Sequence, residues 1–61
     1  MSSAIFDLDG KKITIQCKND QTMKEICQNY GTKAQIDIEK HLFLYNGNQI
    51  NMDFSFEKLI I

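Results

Sequence analysis

Residues 4–12, Ala-Ile-Phe-Asp-Leu-Asp-Gly-Lys-Lys, admit two incompatible readings, and the choice between them decides the fold. In one, an apolar strand ends by presenting Asp7 and Asp9 as a pair of carboxylates. In the other, Asp9-Gly10 is the turn of a β-hairpin, because Asp-Gly tolerates the φ > 0 geometry that a tight hairpin needs and lies between two strand-like runs. The second run alternates Ile13, Ile15 and Cys17 with Thr14, Gln16 and Lys18, so one face of it belongs to a core. The register of the first run stays open. A two-residue loop pairs Phe6 with Ile13, whereas a three-residue loop with a bulged Gly10 brings Ile5 there.

The Asp7-x-Asp9-Gly10 stretch resembles the first motif of the haloacid-dehalogenase-type phosphatases. That resemblance implies one aspartate attacking phosphorus and the other acting as acid/base. Length argues against it. A chain of 61 residues is one domain at most, and a domain of this size buries only roughly 60% of the surface that its unfolded chain exposes. Those phosphatases wind a parallel sheet from several βαβ units of about 30 residues or more each and carry further catalytic groups on later strands. The threonine that usually follows their motif is Lys11 here. Elsewhere His41, the one histidine, has no adjacent nucleophile, acid pair or metal-ligand partner, and Asp20, Asp37 and Glu39 show only turn and loop placement. The expectation is therefore a protein that is not an enzyme, with no catalytic residue, metal or cofactor.

Composition narrows the partners. The chain is 43% hydrophobic and 25% charged with a formal net charge of -1, without the basic excess or Lys/Arg stripe of a nucleic-acid surface. No apolar run approaches the ~20 residues of a membrane span, and the N-terminus lacks the basic and apolar regions of a signal peptide. An intracellular, cytoplasmic or nuclear protein with no nucleic-acid or membrane partner is expected. Cys17 and Cys27 lack C-x-x-C spacing and clustered histidine, so they read as buried free thiols. There is no proline, repeat or linker, and residues 1–61 read as a single domain.

Downstream of the hairpin, Thr22 and Glu25 have capping-box spacing at the start of a helix. Met23, Ile26, Cys27 and Tyr30 form its i, i+3, i+4, i+7 apolar stripe, and Gly31 is expected to end it in a left-handed conformation. After Ile36 and Ile38, a second hairpin is expected around Asn46-Gly47. Its first strand divides by alternation, with Phe43 and Tyr45 beside His41 on one face and Leu42 and Leu44 on the other. One helix covers only one face of a sheet, so one of these apolar rows is surplus to the core. Ser55 is a candidate cap for a short final helical turn that points Phe56 and Leu59 inward.

Taken in order, these pieces resemble ubiquitin and the ubiquitin-like domains, in gapless register from Gly10 to Ile61. The resemblance is carried by Gly10-Lys-Lys-Ile-Thr14, by Thr22 with Ile26 and Tyr30, by Leu42-Phe-Leu-Tyr-Asn-Gly-Asn-Gln-Ile50, and by Ser55-Phe-Glu-Lys-Leu-Ile-Ile61. It implies an α+β, β-grasp fold: a mixed sheet with one helix packed on one face. The last strand and the Gly-Gly tail of conjugated members do not occur in these residues. The chain is accordingly expected to be the N-terminal part of a longer protein, or to have its missing strand supplied by another chain.

In ubiquitin-like domains, partners commonly dock on an apolar patch formed by the first-hairpin loop and the exposed face of the middle strand. The matching residues are Leu8, Leu44 and the Gly47 turn, with Leu42 extending the patch where ubiquitin has an arginine. The implied function is that of a nonconjugated protein-protein interaction module in the ubiquitin pathway, binding a ubiquitin-recognising partner. A structural subunit or domain embedded in a larger assembly is the alternative. Departures also bear on function. Asn48 replaces ubiquitin's best-known linkage lysine, and Cys27 and Met52 replace a partly buried polar pair. Asp37-Ile38 stands where the family has two prolines.

Overall fold

A computed structural model describes residues 1–61. Strands β1 (Ser2–Leu8) and β2 (Lys11–Cys17) form an antiparallel hairpin. Helix α1 (Met23–Ala34) follows, then a 3₁₀ turn at Ile38–Lys40, a short hairpin of β3 (Leu44–Tyr45) and β4 (Asn48–Gln49), and helix α2 (Phe56–Ile60).

Asp9 and Gly10, with φ of 53° and 84°, make the two-residue loop of the first hairpin. The Asp7 carboxylate accepts a hydrogen bond from the Gly10 amide at 3.0 Å and braces that turn. Register is thereby decided: Phe6 lies opposite Ile13 and Ala4 opposite Ile15. Phe6 and Ala4 pack on the core, while Ile5 points the other way and is 69% exposed.

Helix α1 begins where the sequence places it, with Thr22 extended and its hydroxyl accepting from the Glu25 amide at 3.4 Å. Only this half of the capping box forms, because the Glu25 carboxylate accepts from the Gln21 side-chain amide at 3.2 Å. The next helical amides find partners far along the chain. Met23 and Lys24 donate to the carbonyls of Phe54 and Met52 at 2.8 and 3.0 Å, and in return Phe56 and Glu57 donate to Gln21 and Asn19 at 2.8 and 2.9 Å. The Ser55 hydroxyl accepts from Lys58 at 3.1 Å as the α2 cap. Each helix start, which would otherwise leave orphan donors, is thus satisfied by the segment leading into the other. Thr22→Ala is expected to lower stability by roughly 0.5 to 2 kcal/mol while Thr22→Ser, which keeps the acceptor, restores most of it. Urea denaturation of the two variants measures this, and two equal midpoints would mean that the Thr22 hydroxyl caps nothing.

The far end of α1 departs from expectation. Gly31 lies inside the helix, and the left-handed residue is Gln35, with φ 58° and its amide directed to the Gly31 carbonyl. Glycine is needed at 31 for space instead. A Cβ there would stand 2.5 Å from Cγ2 of Ile38 and 3.2 Å from the carbonyl oxygen of Ile36, so its absence lets the 36–38 segment pack onto the helix.

The core is built from Ile15, Cys17, Met23, Ile26, Cys27, Tyr30 and Phe56. Phe6 stacks on Tyr30 with ring centroids 4.2 Å apart, and Phe43 meets both rings edge-on at 5.9 and 6.1 Å. Phe43 and Ile13 are half-buried around this centre. Both thiols are free and buried, as the sequence suggested. Burial pushes the Cys17 thiol up, against a smaller opposing pull from the N-terminal ammonium, and pushes Cys27 up to about 11. A raised folded-state value means that above the ordinary value of 9.0 the unfolded thiol ionises while the folded Cys27 thiol does not. Stability should therefore fall as pH rises from about 9 to about 11, by on the order of 2 kcal/mol from this thiol. Cys27→Ala should flatten that part of the stability–pH curve, and an unchanged slope would show that other groups set it.

A strand pair, one main helix and a small second sheet are consistent with the expected α+β, β-grasp class, with the strands in two antiparallel ladders, β1-β2 and β3-β4, instead of one mixed sheet. No strand of residues 1–61 lies between β1 and β3 to join them.

Candidate protein-interaction surface

The surface develops from the second hairpin. Asn46 and Gly47, with φ of 53° and 82°, form a two-residue loop that pairs Tyr45 with Asn48 and Leu44 with Gln49. The Ile50 amide extends the ladder by donating to the Phe43 carbonyl at 3.0 Å. With Phe43 drawn into the aromatic cluster, alternation turns its neighbours outward. Leu42 is 65% and Leu44 56% exposed. Neither residue can be explained by the packing of the domain itself.

Leu8, Leu42 and Leu44 all line one open cavity of about 590 Å³ between β1 and β3. They reach it from different sides. Leu8 is at the end of β1 on the same strand face as Ala4 and Phe6, and is half-buried. Gly47 is at the hairpin tip, outside the cavity lining, where its positive φ demands glycine. The cavity also takes in Ile5, an exposed apolar residue that the patch drawn from sequence omitted. Its signal was the loop length of the first hairpin, which sequence left open.

Backbone groups matter here as much as leucines. In an antiparallel pair, residues alternate between those that exchange hydrogen bonds and those that turn their N–H and C=O outward. With a two-residue loop, Leu8, Phe6 and Ala4 bond to β2, so Ser3, Ile5 and Asp7 present donors and acceptors on the free edge of β1. Across the cavity, Phe43 bonds toward Ile50, so Leu42 and Leu44 present theirs away from β4. The result is an apolar slot bounded by two unpaired strand edges and lined inside by Met23, Tyr30 and Phe56.

No comparable chemistry surrounds the titratable residues. Asp7 is engaged with the Gly10 amide, Asp9 is in the turn, and no group of three or more His, Cys, Asp or Glu side chains converges on a metal-sized position. No helix is long and apolar enough to cross a membrane.

A protein-family model described as Ubiquitin-2 like Rad60 SUMO-like matches residues 4–61. No curated protein and no solved structure matches the chain.

Proposed function

Because this chain belongs to the ubiquitin-2-like, Rad60 SUMO-like family, we propose that it is a nonconjugated interaction module whose partner is a ubiquitin-recognising protein domain. The observation that carries this reading is the pair Leu42 and Leu44, each more than half exposed on one face of the second hairpin. An apolar side chain left in water adds nothing to folding but contributes about 1.5 to 3 kcal/mol when a partner buries it. Leu8 and the Gly47 turn complete the proposed face, and Ile5 enlarges it. The reading contains no catalytic step, and Asp7 and Asp9 serve the turn. The free buried thiols Cys17 and Cys27 suit an intracellular, cytoplasmic or nuclear setting.

Leu44→Ala tests the proposal. Its thermal midpoint should stay close to that of the parent, since a surface substitution usually changes stability by no more than about 0.5 kcal/mol. Affinity for a ubiquitin-recognition domain, measured by titration calorimetry, should fall roughly tenfold or more, as expected for the loss of a buried leucine contact. If neither quantity changes, the proposed face is wrong.

A second reading, a structural domain embedded in a larger assembly, is favoured by one specific feature: the two unpaired strand edges that face each other across the slot. An added strand would satisfy both rows of backbone groups and cover the apolar lining together. Here Leu42 and Leu44 would be permanently covered, and Leu44→Ala would destabilise the assembled protein instead of weakening a reversible complex.

A further inference from the structure

We draw no further inference here: the strongest candidate, the apolar slot between the free edge of β1 and residues 41–45, belongs to the surface already described, and nothing in the structure shows what covers it.

Discussion

Ile26→Ala should abolish most of the stability of this domain. Ile26 is fully buried near the start of α1, with 0% of its surface exposed. Truncating such a residue removes its transfer free energy and leaves a cavity, together costing about 2 to 5 kcal/mol. Native domains hold only roughly 0.05 to 0.15 kcal/mol per residue, so a chain of this length has about 3 to 9 kcal/mol to lose. Alanine is also the better helix former, by a few tenths of a kcal/mol. Any loss therefore measures packing and not propensity. Ile26→Val, which removes one methylene, should cost about 0.5 to 1.5 kcal/mol and leave a cooperative transition. Urea denaturation followed by circular dichroism checks both variants. Equal midpoints for Ala, Val and parent would mean that α1 does not seal the hairpin.

The second large effect is a contrast between neighbours. Phe6→Ala should destabilise the domain by about 3 kcal/mol, the lower end of the Phe→Ala range because Phe6 is half-buried. Its ring stacks on Tyr30 and receives the edge of Phe43, and such aromatic pairs add about 0.5 to 1.5 kcal/mol beyond area burial. Ile5→Ala should alter stability by no more than about 0.5 kcal/mol, since Ile5 is 69% exposed. The pair reads out hairpin register directly. A one-residue slip exchanges the two faces of a strand, so a three-residue loop would make Ile5 the costly position and Phe6 the tolerant one. Thermal denaturation of the two single variants distinguishes these outcomes.

That contrast also marks where sequence reasoning stopped. Thr22 and Ser55 announced both helix starts, Asp9-Gly10 and Asn46-Gly47 announced both hairpins, and the stripe Met23, Ile26, Cys27 and Tyr30 is buried as its spacing requires. Alternation set Leu42 and Leu44 on the face opposite Phe43 and left one of the two rows surplus, and the packing of Phe43 against Phe6 and Tyr30 decides that it is the leucine row. The exposure of Ile5 was not legible, because Asp-Gly is compatible with more than one hairpin loop and the choice swaps its face with that of Phe6. The end of α1 was misread for a different reason. A glycine after an apolar stripe signals a left-handed cap, but Gly31 answers to Ile36 and Ile38 approaching from the following turn, while Gln35 takes the left-handed conformation.

What the sequence determined by itself was the order of the two hairpins and the two helices and the membership of the helix stripe. These depend on interactions within a few residues: a hydroxyl reaching an amide three positions on, or a turn pair tolerating positive φ. Only the tertiary structure decided which face of β1 is internal, why residue 31 must lack a Cβ, and how the helix starts are satisfied. Each of these depends on atoms distant along the chain: the Tyr30 and Phe43 rings for Phe6, and the carbonyls of Met52 and Phe54 for the first amides of α1. The slot between β1 and β3 is tertiary in the same sense. Its two unpaired edges come from segments more than 30 residues apart, and no local pattern states how far apart folding will set them.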